Sequence, residues 1–394
     1  MVLRGEVPQR LPFVTRLETW YVAHQRTQTL PDKYRGLTLD EVHHAVGVGR
    51  LKFSVPYGFR LVGVEVHSTF NGEAFYNQAE PVIENFPGMW DLVPTDRAGI
   101  TKTELITPVG TITLTHVLLE SGVYNGTDPY LKEHLIKSEA DLPAVEYILK
   151  RAEFVPAFKK IGAQSEEIGE NGLLVPLVQR IPFQQVLLEY LGEINLIHAL
   201  HNNLKLVKRL MDLLDRQMLG ALERLAELDV PYVEFPDNLH GLMTSPKLFR
   251  EYCLPAYHKY VDILHTQGKK VGSHTDGNVK PLLALLAESG LDVCESLSPA
   301  PLTSITFREV NRAWRGKPII WGAIPTPILE ERTSEQEFRA YLADLLEAID
   351  QPMILGLVDL FMRNNSIKRV ETIVKQVEAL NLHSRINIAK GKSS

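Results

Sequence analysis

From about residue 172 onward, short apolar runs alternate with longer stretches in which apolar residues return every three or four positions. The short runs, at 172–178, 230–235, 270–273, 291–294, 318–322 and 352–356, predict strands buried on both faces. The longer stretches, at 195–229, 245–268, 279–289, 306–314, 334–349 and 366–380, predict helices. Local signals agree at the ends. Ser245 and Pro246 make a cap and a first turn, and Gly290 closes a helix. Strand-to-helix alternation implies a parallel sheet with crossover helices. The even spacing, and the lack of a Gly-x-Gly-x-x-Gly turn, favour a closed barrel over an open dinucleotide-binding sheet. The expected fold is therefore α/β, a (β/α)8 TIM barrel, with its first two strands drawn from the first 170 residues.

Those first residues read differently. Residues 61–67 and 111–116 alternate apolar and polar positions, as antiparallel ribbons do. Residues 1–150 are expected to form an N-terminal elaboration packed on the barrel and contributing its early strands. Residues 151–394 are expected to form the main part of the catalytic barrel, with 162–172 as an exposed connection.

Candidate chemistry gathers where the strands end, the rim on which β/α barrels build active sites. Lys270-Val-Gly-Ser-His274-Thr-Asp276-Gly-Asn278 is a buried strand that stops at two potential ligands. Positions i and i+2 of a strand point the same way, so His274 and Asp276 can reach one ion or one substrate. An imidazole with a carboxylate suits zinc or a similar divalent ion. The competing reading is a structural histidine beside an Asp-Gly-Asn turn that caps a helix. Asp359, just past the last strand, is a third candidate ligand, or a loop aspartate. Cys294 and Glu295 end the neighbouring strand and point to opposite faces, so at most one lines the mouth. Cys294 is a further candidate ligand, although a buried cysteine is more often a packing residue. Glu234, Asp237, Asn238 and His240 fill another sector of the rim; Glu234 and His240 join His274 and Asp276 as candidate catalytic groups, the latter two also able to act as general acid and base without a metal. Asp237, Asn238, Glu295 and Trp321 are candidate substrate contacts. His43 and His44 fall on an amphipathic helix and are expected to be exposed.

The composition narrows the partners. The 394 residues carry a net charge of −6 and 44% hydrophobic content, with no dense Lys/Arg block, which argues against nucleic-acid binding. Cys253 and Cys294 are too few for a secreted disulfide scaffold. No apolar signal core and no membrane-length apolar run appear. The expectation is a soluble cytoplasmic protein that engages neither nucleic acid nor membrane. Serine-hydrolase, P-loop and zincin motifs are absent from the sequence.

Between about Thr107 and Leu380 the chain resembles the uroporphyrinogen decarboxylase superfamily, which also holds zinc-dependent, corrinoid-linked methyltransferases. Thr107-Pro-Val-Gly-Thr111, the run 130–142, the run 237–255, Gly272-Ser-His-Thr-Asp-Gly-Asn278 and Ile319-Ile-Trp-Gly-Ala-Ile-Pro325 carry the resemblance. It implies a barrel with one funnel-shaped site. The methyltransferase branch typically has His-x-Cys after one strand and another Cys after the last, all on zinc. His274 matches the first position, while Asp276 and Asp359 stand where the cysteines would be. That exchange keeps three donors but replaces sulfur with oxygen, so the identity of the metal stays open. The decarboxylase branch carries an N-terminal arginine-rich motif. Arg4, Arg10 and Arg16 are scattered and do not form one.

The resemblance thus implies a metal-dependent methyltransferase of the corrinoid-dependent, O-demethylase type. Its methyl donor would be a small methylated compound, with a methoxyaromatic as the candidate, and its acceptor a corrinoid on a partner protein. The ligands would be His274, Asp276 and Asp359, and barrels of this superfamily often pair as homodimers. Two alternatives stand beside it: a decarboxylase or lyase acting on a small carboxylic acid or tetrapyrrole, and a non-catalytic corrinoid-binding relative.

Overall fold

The computed structural model describes residues 1–380 apart from 85 and 359, and apart from the side chain of 171. Two compact units interleave along the chain. One comprises Met1–Phe53, Gln164–Pro176 and the chain from Val230 on; the other comprises Ser54–Ala163 and Leu177–Asp229.

The first unit is built on eight strands: β1 (Val14–Thr15), β2 (Gly49–Ser54), β3 (Gly172–Pro176), β4 (Tyr232–Phe235), β5 (Lys270–His274), β6 (Val293–Leu297), β7 (Ile319–Pro325) and β8 (Ile354–Val358). Strands β4 to β8 form one sheet in sequence order, with every neighbouring pair parallel. Strands β1, β2 and β3 form a second sheet in that order. A parallel bridge between Phe13 and Leu355 joins β1 to β8, and the Leu355 amide donates to the Pro12 carbonyl at 2.8 Å. The result is the strand order of a TIM barrel, as the sequence predicts. Among the described residues the hydrogen-bond ladder stays open between β3 and β4.

Every residue of β4 and β6 is buried, as expected of strands covered on both faces. Between the strands, Leu254–Thr266, Phe307–Trp314 and Glu335–Ala348 supply crossover helices. Thr306 with Glu309, and Ser334 with Glu337, form capping boxes that fix where two of these helices start.

The second unit holds a five-stranded antiparallel sheet in the order Glu73–Ala79, Glu65–Phe70, Gly99–Thr107, Gly110–Leu118, Tyr130–Glu133. The Thr107 hydroxyl donates to the Gly110 carbonyl at 2.7 Å and closes the hairpin between its two longest strands.

Three local expectations change. Residues 162–172 are largely exposed, as expected, but up to Ile168 they belong to the helix Phe158–Ile168, with Ile168 buried, instead of forming a plain connection. The region 195–229 is two helices, Gly192–Asn202 and Leu204–Arg224. They part at Asn203, which leaves helical geometry and caps the second helix through its side chain. His43 is buried rather than exposed: it shares the inner face of Leu39–Val46 with Val42 and Val46, and its Nδ1 lies 2.9 Å from the Leu39 carbonyl. No helix among the described residues is long and apolar enough to cross a membrane.

Candidate metal centre

The register of β4, β5 and β6 decides which side chains meet. Glu234 lies level with Gly272, and His274 lies level with Glu295. Because side chains alternate along a strand, Tyr232, Glu234, Gly272, His274 and Glu295 share one face. That face is the barrel interior. Tyr232 on β4 meets Trp321 on β7 across it, with ring centroids 6.4 Å apart, and His274 on β5 meets Phe53 on β2 in an edge-on contact at 6.4 Å.

At the carboxyl end of this face stand two carboxylates and an imidazole. His274 Nδ1 contacts Glu295 Oε2 and lies 4.0 Å from Glu234 Oε1. One donor atom from each of Glu234, His274 and Glu295 falls within 4.8 Å of the others. Glu234 is fully buried. Its Oε2 accepts from the Tyr232 hydroxyl at 2.7 Å, while its Oε1 is buried with no hydrogen-bond partner. On the other side of the imidazole, Nε2 faces Asp276 at 3.6 Å, and Asp276 accepts from the Asn238 side-chain amide at 3.0 Å. The Arg16 guanidinium lies 4.8 Å over the Phe53 ring, and its charge is felt at Glu234.

These neighbours shift the protonation states strongly. Burial, then the negative charge of Glu295, pushes the Glu234 carboxyl up to about 8, against the opposing pull of His274, Tyr232 and Arg16. For His274 burial works against the charged form, but Glu295 and Asp276 outweigh it and hold the imidazolium up to about 10. A buried carboxylate oxygen without a donor is costly, and two carboxylates around one ring nitrogen repel each other. A divalent cation between Glu234 Oε1, His274 Nδ1 and Glu295 would remove both penalties. One nitrogen and two carboxylate oxygens are ordinary zinc donors, and three protein ligands leave a position for substrate. The same oxygen-rich set also accepts harder ions.

The remaining residues singled out from the sequence fall into several places. Asp276 stands at Nε2 of His274, on the other side of the ring from the two glutamates, and Asp359 lies outside the described residues. Cys294 is fully buried beside Glu295 but outside the three-donor group, and burial pushes its thiol up. Asp237 faces away from the cavity: its carboxylate accepts from Tyr257 at 2.6 Å and from Ser273 at 3.0 Å, on the outer side of β5. His240 accepts a bond from the Leu242 amide at 3.2 Å and borders Gly277, apart from the cluster. Trp321 is buried and uses its single donor on the Val14 carbonyl at 3.1 Å.

Arg16, Phe53 and Tyr232 were not among the sequence candidates. Arg16 directly follows the shortest strand and Phe53 sits on a strand with charged residues at Arg50 and Lys52. Neither strand shows a continuous apolar run, so the sequence carried no strand-end signal for Arg16 or Phe53.

Residues 190–380 match the family model described as uroporphyrinogen decarboxylase (URO-D). Glu234, His274 and Glu295 all lie within that span. Among solved structures, a methyltransferase from Methanosarcina mazei aligns at TM-score 0.52 with 13% identity over 96% of each chain. At that identity the likeness speaks to the fold, which is shared over nearly the full length. A GH2 β-galacturonidase from Eisenbergiella tayi aligns at TM-score 0.30 with 10% identity, over 82% of this chain and 68% of that one, too slight a likeness to bear on the fold. No curated protein matches the chain in sequence.

Proposed function

We propose that the chain is a metal-dependent methyltransferase that moves a methyl group from a small methylated compound, a methoxylated aromatic in our reading, to a corrinoid carried by a separate protein. The observation that carries this reading is the Glu234–His274–Glu295 cluster with its unpartnered buried oxygen. The match to the URO-D family model supports it, as does the fold shared with a protein described as a methyltransferase.

Glu234 Oε1, His274 Nδ1 and Glu295 would hold the ion, zinc or a harder divalent cation. Once bound, the ion would act as a Lewis acid on the heteroatom from which the methyl group departs. The chain's own residues do the rest. Asp276, steadied by Asn238, faces Nε2 of His274 and favours the tautomer whose Nδ1 is free to ligate. Phe53 gives the mouth an apolar wall against which a flat ring can lie, and Arg16 on its face adds positive charge at the entrance. The corrinoid and its carrier protein belong to the proposal, as does a cytoplasmic setting in keeping with the two free thiols.

A second reading draws on the same electrostatics. A carboxyl raised to about 8 beside an imidazolium raised to about 10 is also a proton-delivery pair for a lyase. Metal analysis of gently purified protein separates the two readings when combined with a screen of methoxylated aromatics and a corrinoid acceptor. The methyltransferase reading expects about one divalent ion per chain and corrinoid-dependent demethylation, with ion and activity lost together in His274→Ala. Metal-free protein that releases carbon dioxide from a small acid would replace it with the lyase.

A further inference from the structure

We infer that Tyr232 and Gly272 together form a positioning device that presents Glu234 to the ion through a single oxygen. The inference rests on the metal reading above.

Tyr232 and Glu234 are two positions apart on β4 and point the same way. The phenol is buried, and its hydroxyl is a donor. It spends that proton on Glu234 Oε2 at 2.7 Å. This bond turns the carboxylate so that Oε1, and not Oε2, looks toward His274 Nδ1. The space the phenol occupies is made by Gly272, level with Glu234 on the adjacent strand. A Cβ at 272 would overlap the Tyr232 hydroxyl and come within 2.7 Å of Cζ. Strand interiors disfavour glycine because it brings no side chain and loses more backbone freedom on folding. Here its absent side chain is what lets the hydroxyl reach the carboxylate.

The consequence concerns coordination. With Oε2 occupied by the phenol, Glu234 gives one oxygen, and the three protein donors leave the ion four-coordinate with one exchangeable position. Without the phenol, Oε2 is released and Glu234 can chelate through both oxygens. Partners that orient metal ligands typically change metal affinity by about 10–100-fold when removed.

Cobalt(II) tests this, because its visible absorption is intense in four-coordinate sites and falls as coordination rises. Wild-type protein freed of metal and titrated with Co²⁺ should show strong four-coordinate absorption. Tyr232→Phe should bind Co²⁺ about 10–100-fold more weakly and show weaker, five-coordinate absorption. Gly272→Ala, which displaces the same hydroxyl from the opposite strand, should reproduce that spectrum. A folded Tyr232→Phe protein with wild-type spectrum and affinity overturns the positioning role while leaving the metal centre standing. A wild-type protein that takes up no Co²⁺ overturns both. Thermal melting of each apoprotein shows that spectra are read on folded chains.

Discussion

Glu234 and Asp237 lie three residues apart, both are completely buried, and they sit on opposite sides of β5. On the outer side, Asp237 takes two hydroxyl donors, from Tyr257 and Ser273. On the inner side, Glu234 takes one donor, leaves Oε1 unpartnered, and stands beside a second carboxylate. A buried carboxylate with its oxygens satisfied is part of the fold. One with an orphan oxygen and a like-charged neighbour is maintained at a cost to stability, which makes it a candidate for function. Burial alone does not separate the two; the inventory of donors does.

The sharpest test removes one charge from each side. Glu234→Gln should lower affinity for a divalent ion by more than about 100-fold, beyond the loss typical of an outer-shell partner. The same change should raise the melting temperature of the metal-free protein by a few degrees, because a carboxyl that must take up a proton to be buried gives way to a group that is neutral throughout. Asp237→Ala should do the reverse. Two buried hydroxyls lose their acceptor, which costs about 3 kcal/mol, while metal bound per folded chain stays at the wild-type value. Calorimetric melting and metal titration of both variants decide the matter. If Glu234→Gln melts earlier and keeps its ion, the two carboxylates are of one kind and the metal centre is lost.

Asp276 sharpens the comparison within the site. It faces the far nitrogen of His274, so Asp276→Asn should weaken metal binding by about 10–100-fold and leave the coordination spectrum close to wild type. A loss larger than that of Glu234→Gln would move the ion to the Nε2 side of the ring.

The difference between the faces also explains what the sequence could and could not convey. Strands β4 to β8 were legible because each is a continuous apolar run between turn signals. Strand β1 has two residues, and β2 is interrupted by Arg50 and Lys52, so neither leaves such a mark. His274, Glu234 and Glu295 each drew notice by standing at strand ends. Which of their neighbours turn inward depends on the level of adjacent strands, and alternation along a single strand does not encode that level. Asp237 looked equivalent to Glu234 for the same reason. Tyr232 and Gly272 read only as strand residues, since the meaning of the glycine lies in a hydroxyl 40 positions away in the chain.

Histidine allows the same contrast with the smallest expected effect. Carboxylates push His274 up to about 10, whereas His116, in the second unit, is buried edge-on against Trp90 at 4.5 Å, and burial pushes it down to about 4. Unfolded, His116 would titrate near 6.5. Between those two values the unfolded chain therefore binds a proton that the folded chain refuses. Stability from this group is complete above about 6.5 and is lost as pH falls toward 4, by about 1–2 kcal/mol between pH 7 and pH 5. His116→Phe keeps a ring against Trp90 and removes the titration, so the variant should lose less stability than wild type over that interval in denaturant unfolding at the two pH values. Equal losses would mean that His116 finds a proton acceptor when charged, and that burial without a carboxylate is not what sets its state.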